Sequence, residues 1–269
     1  MKKLPVLLCI FLLSACAPSE VPSDKLVKRN GLKYEINSQT PFTGVATEYW
    51  ENGQLKTESN WKDGELNGPS EDYQENGQLE ARGTYKDGEL NGLRDTYDEN
   101  GQLMFKTTFK DGELNGPSEG YYHNGQLEHK NTWKDGELGG LFENYYANGQ
   151  LRQKGTYKDG VENGLYEWYY ENGQLKQKGT YKDGELNGLS EDYYENGQLE
   201  VKATYKDGVE NGLYEWYYEN GQLEFKDTFK DGERNGLSEN YYENGQEKEW
   251  SPLCYQNDKA VDISKCKSL

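Results

Sequence analysis

The triplet Asn-Gly-Gln begins at residues 52, 76, 100, 124, 148, 172, 196, 220 and 244, always 24 residues apart. Lys-Asp-Gly begins at 62, 86, 110, 134, 158, 182, 206 and 230, with the same period. A fixed period of this length restricts a chain to stacked copies of one supersecondary unit. Residues 158 to 175 and 206 to 223 are identical, "KDGVENGLYEWYYENGQL", so duplication accounts for the array. Asn-Gly and Asp-Gly both favour two-residue type I′ hairpin turns. The segments between them are rich in Tyr, Thr and Leu, while glycine recurs too often for helix. The expected fold is all-β: an elongated single antiparallel meander of about nine 24-residue hairpins, forming a twisted or coiled open sheet. One hairpin cannot stand alone in water, and repetition lets each bury its flanks against its neighbours.

Two-residue turns fix cross-strand partners. A turn at Asn76-Gly77 sets Glu71 opposite Arg82. Shifting by one repeat pairs Asp95 with Lys106, Glu119 with Lys130, Glu143 with Lys154, Glu167 with Lys178, Glu191 with Lys202 and Glu215 with Lys226. Such a row specifies register, since a one-residue slip would break it everywhere. The same count sets a glycine, such as Gly68 opposite Tyr85, against each member of an aromatic row. That row is Trp61, Tyr85, Phe109, Trp133, Tyr157, Tyr181, Tyr205 and Phe229, and each ring is expected to shield the bare backbone of its glycine. Trp168, Trp216 and the leucines from Leu55 to Leu223 are expected on this aromatic face. The ion-pair row and Tyr73 with its equivalents take the other.

The ends depart from the repeat. Residues 1–15 read as a secretory leader: Lys2 and Lys3, then an apolar run from Leu4 to Leu13 too short to span a bilayer. Leu13-Ser14-Ala15-Cys16 resembles the bacterial lipobox, which makes Cys16 the lipidated first residue. Ala17 after it resembles an outer-membrane address. Residues 16–30 are expected as a tether, 31–250 as the repeat domain with a degenerate first unit, and 251–269 as a cap for the last edge. Cys9 leaves with the leader, so Cys254 and Cys266 remain to form a disulfide in an oxidising envelope.

Side chains that could do chemistry are scattered. The two histidines, His123 and His129, fall on opposite faces in this register and cannot share a metal. No strained nucleophile turn, phosphate-cradling glycine loop or alternating-Asp calcium loop occurs. No catalytic residue, metal or cofactor is therefore expected. A formal charge of −18 disfavours nucleic acid and anionic membrane surfaces and favours a basic protein partner. The aromatic face reads either as core or as a recognition surface for a partner or for stacked sugar rings.

The unit "YYENGQLxxKxTYKDGExNG" resembles the MORN repeat in its bacterial variant, over residues 44 to 246. That variant occurs in secreted and lipid-anchored proteins labelled YwqK-type antitoxins. The resemblance implies a repeat protein of the bacterial cell envelope. Taken with the lipobox and the scattered polar residues, the expectation is a non-enzymatic protein held to the membrane by its lipid alone, on the periplasmic side of the outer membrane if the cell is Gram-negative. Its expected role is protein binding, antitoxin- or immunity-like, with glycan binding by the aromatic face as the alternative.

Overall fold

The computed structural model describes residues 20–268. Cys16 and the leader lie outside the described residues. Strand β1 (Glu20–Pro22) is followed by the hairpin β2 (Leu26–Arg29) and β3 (Leu32–Glu35), then β4 (Gly44–Tyr49). From there β5 (Leu55–Lys62), β6 (Glu65–Tyr73), β7 (Leu79–Lys86) and β8 (Glu89–Tyr97) set a pattern of two strands per period. It continues, each strand beside the next in sequence, to Gly236–Asn240. The result is one long, open, almost wholly antiparallel sheet, as the period predicts.

The two turn sequences behave differently. Each Lys-Asp-Gly turn is type I′: Asp63 has φ 51° and Gly64 φ 86°. The Asn-Gly-Gln turn is not. Only its glycine has positive φ, Gly53 N–H donates to the Trp50 carbonyl at 2.9 Å, and Trp50 N–H donates to the Gln54 carbonyl at 2.8 Å. This is a three-residue loop closed by glycine in the left-handed region. The Asn52 side chain accepts from Gln54 N–H at 2.9 Å and donates to the Glu75 carbonyl of the next repeat at 2.8 Å.

The longer loop brings a compensating bulge. Tyr73 pairs with Leu79 but Asp72 pairs with Ala81, leaving Glu80 unpaired. The extra loop residue and the bulged residue cancel, so Glu71 still faces Arg82 and Gly68 still faces Tyr85. All seven acid–base positions are cross-strand neighbours. The bulge does move the leucines. Opposite residues share a face, so Leu79 lies with Tyr73 on the ion-pair face and not with the aromatic row.

A second irregularity sits at the other Asn-Gly of each repeat. Tyr85 pairs with Leu90 but Gly83 pairs with Arg94, so the longer strand holds two extra residues. Gly92 takes φ 118° there, which is why the position is glycine. A Cβ on it would head for Thr84, 3.5 Å away, not for an aromatic ring. The glycine therefore answers to the bulge and not to a covering ring.

Neighbouring repeats are stitched along both edges. Gly88 N–H donates to the Leu66 carbonyl at 2.9 Å, and the Tyr146 hydroxyl donates to the Tyr169 carbonyl at 2.8 Å. Both contacts recur along the array.

Both ends are closed. Residues 20–30, expected as part of a tether, are folded: β1 pairs in parallel with β4, and the β2–β3 hairpin lies against the first Asp-Gly turn. Lys33 N–H donates to the Gly64 carbonyl at 2.9 Å, and a Cβ on Gly64 would fall 2.8 Å from Leu32 Cβ. At the other end Leu253–Gln256 pairs with Gly236–Asn240, and Lys259–Val261 pairs outside it. The Cys254–Cys266 disulfide ties this cap strand to the short 3₁₀ segment Ile263–Ser268, with Cα atoms 5.8 Å apart.

Candidate functional site

The central rows of the aromatic face form the core, and the core is thin. Ala46, Ala81, Val201, Ala203, Ser59, Ser118, Ser190 and Tyr166 are buried there. The expected aromatic residues Trp61, Tyr85, Phe109, Trp133, Tyr157, Trp168, Tyr181, Tyr205, Trp216 and Phe229 are all half-buried. Tyr157, Trp168 and Tyr181 meet around Tyr166, with ring centroids 5.8, 5.6 and 5.2 Å from it. Trp216 and Phe229 belong to a second cluster through Phe225 and Tyr214. Trp61, Tyr85, Phe109 and Trp133 instead pair with Leu66, Leu90, Leu114 and Leu138. Those leucines, missed from sequence, are the ones on the aromatic face. The two-residue strand excess follows them, so a simple turn count misplaces the residues beyond. The rings thus cover small residues and one another, and only their outer halves face solvent.

The ion-pair face is a ladder in which each cation lies between two acids. Lys154 Nζ meets Glu167 and Lys178 Nζ meets Glu191, the neighbour across the Asp-Gly turn in both cases. Arg82 likewise takes Asp95, at 2.8 Å, in preference to Glu71. Of the seven sequence-derived pairs, Lys130–Glu119 at 3.6 Å is an ion pair among the described residues. Tyrosines reinforce the row: the hydroxyls of Tyr121, Tyr145 and Tyr193 donate to Glu119, Glu143 and Glu191 at 2.7, 2.9 and 2.9 Å. Burial, then the hydrogen bond to the carboxylate, pushes Tyr121 and Tyr145 up to about 12, so both stay protonated donors.

The same face carries an unforeseen apolar row. Leu93, Leu141, Leu165, Leu189, Leu213 and Leu237 are between 36% and 51% exposed and recur at multiples of the repeat. Leu93, Leu141, Leu165, Leu189 and Leu213 each lie directly opposite a threonine, from Thr108 to Thr228. The row was legible in the sequence as a leucine after Asn-Gly, or after Gly-Gly at Leu141, and strand alternation with Asp95 and its equivalents sets it on the ion-pair face.

Titratable groups do not converge on one centre. His129 lies over Gly120, as the register requires, while His123 Nδ1 stands 3.7 Å from Asp98 at a turn. Among the described residues no group of three or more His, Cys, Asp or Glu could hold a metal ion. Burial raises the Asp192 carboxyl above its ordinary value, beside Gln177.

No curated protein matches the chain. Among solved structures, a chain of the "Crystal Structure of TcdB2-TccC3-Cdc42" aligns with 13% identity over 78% of this chain and 14% of that one. Its TM-score of 0.21 is too low to carry an argument. The pattern described as "MORN repeat variant" matches residues 42–63, 66–87, 90–111, 114–135, 138–159, 162–183, 186–207 and 210–231, each match one two-strand period of the sheet. Eight consecutive matches in phase with the observed turns mean that the chain belongs to the MORN repeat variant family.

Proposed function

We propose that this chain is a non-enzymatic, lipid-anchored scaffold of the bacterial cell envelope that binds a basic protein, in an antitoxin- or immunity-like role. The observation that carries the reading is the row of exposed leucines at repeat intervals beside the ion-pair ladder. An apolar strip of this length on a charged surface is the mark of a docking face. The net charge of −18 would draw in a cationic partner. The test is capture from the native cell envelope by the wild-type chain and by a Leu165→Lys, Leu189→Lys variant. A specific basic protein should be retained by the first and lost by the second. Retention by both would remove the leucine row from the interface. A glycan reading draws on Trp168 and Trp216, which keep half-exposed rings on the aromatic face. A glycan array bound equally at low and high salt would favour it.

Anchoring rests on the lipobox. Cys16→Ser should abolish incorporation of labelled fatty acid and release the chain from the membrane fraction. Label that persists in the variant would refute the anchor.

A further inference from the structure

The β2–β3 hairpin reverses the charge of the rest of the chain. Lys25, Lys28, Arg29 and Lys33 stand within nine residues, in a protein of net charge −18. Lys28 and Lys33 are direct cross-strand partners. Like charges placed opposite each other weaken a hairpin, so this pairing opposes folding unless something lies between them. Neither ammonium has a carboxylate within ion-pairing distance among the described residues. Both line a cavity of about 210 Å³ with Trp61, Gly31, Gly64, Glu65, Leu66 and Gly88. Lys33 Nζ lies 4.3 Å from the centre of the Trp61 ring. Glu65 also lines the cavity, but its strand neighbour is Lys62.

We propose that Lys28 and Lys33 form a binding site for a phosphate group, held between the two ammoniums, with the Trp61 ring positioning Lys33. One anion would satisfy both cations and remove their repulsion. Two charge-assisted hydrogen bonds at one small cavity give such an anion a defined seat. Burial lowers the Lys33 ammonium below its ordinary value, with Glu48 opposing and Lys28 adding to the shift, so a bound anion would move it back up. The hairpin is fixed for this role: its backbone bonds to the Gly64 carbonyl and to Phe42 N–H hold it on the repeat domain. The phosphate could be a free phosphate group or the headgroup of an anionic lipid, since the recognition chemistry is shared.

The test is calorimetry on the full chain in detergent, at constant ionic strength, with two probes. Inorganic phosphate stands for the free group. Glycerophosphoglycerol, a soluble phosphodiester, stands for the lipid headgroup. The tighter of the two identifies the source. Lys28→Gln should weaken binding by about tenfold, the scale of one charge-assisted contact. Lys25→Gln, on the same segment but outside the cavity, should change it by less than about twofold. Phosphate should also raise the melting temperature of the wild type, and at the same phosphate concentration raise that of Lys28→Gln by less. Without phosphate, melting of Lys28→Gln at or above the wild-type temperature, as relief of the repulsion predicts, shows that the variant is folded. The proposal fails if the wild type takes up neither probe, or if Lys25→Gln loses as much affinity as Lys28→Gln.

Discussion

Replacing Tyr166 by alanine should remove roughly 3–5 kcal/mol of stability, in keeping with other large-to-small changes in packed cores. Tyr166 is 0% exposed and is the largest side chain so enclosed. Its ring fills the space over Gly155 so closely that a Cβ there would come within 2.4 Å of it. Tyr157, Trp168 and Tyr181 all pack on it. Truncation would leave a void among three rings that the stiff sheet below cannot close. Because each repeat touches only its neighbours, the loss should be local. Amide exchange should accelerate between about residues 138 and 207 and stay unchanged near either end. Tyr166→Phe, which keeps the ring, should retain most of the stability. An alanine variant with wild-type exchange in those repeats would show that the aromatic cluster is not the core.

Loss of the disulfide should uncover the far edge. Cys254 is 1% exposed, lies opposite Leu237 in the sheet and holds the cap strand to the segment behind it. The bridge closes a short loop, with a sequence separation of 12. Removing such a bridge costs about 3 kcal/mol by the chain-entropy estimate. Gly236, Leu237 and Ser238 pair with the cap strand, and the Asp258 N–H bond to the Arg234 carbonyl and the Asn240 N–H bond to Ser251 Oγ flank that pairing, but among these ties the disulfide alone is covalent. A Cys254→Ala, Cys266→Ala chain should therefore lose exchange protection at Leu237 and Ser238 and self-associate with rising concentration, as bare strand edges do. Central repeats should be unaffected. A variant that stays monomeric with Leu237 still protected would mean that the cap holds without its sulfur.

Much of this was readable because turns punctuate the chain at a constant interval. The period gave the number and order of strands, and the Asp-Gly dipeptide gave its turn type. The ion-pair register also emerged, although by cancellation: Glu80 is bulged, and the loop at Asn76-Gly77 is one residue longer than a two-residue hairpin. The leucines record the same error uncancelled, since Leu79 lies between loop and bulge and faces the other way. Which acid each lysine selects was not legible, because Glu167 and Glu191 both flank Lys178 and register alone does not choose between them. The N-terminal segment escaped for another reason. Its contacts, β1 with β4 and Lys33 with Gly64, follow no repeat, so no internal comparison marks them. The exposed leucine row was visible as letters and, by alternation with Asp95 and its equivalents, already belonged to the ion-pair face; its exposure was not legible, because the threonines opposite it are too small to cover it.

The stitching between repeats also sets how the molecule answers a pull. Strands run across the long axis, so the hydrogen bonds of the ladder run along it. Tension applied at the two chain ends meets those bonds one at a time, as a zip does, and not together in shear. Each opened period would release 24 residues, about 80 Å of extended chain at ~3.3 Å per residue, from a unit only about 10 Å thick, two strand spacings. A protein tethered at one end and held by a partner at the other would thus lengthen stepwise at low force, and every released hairpin would find its register again from its own two turns.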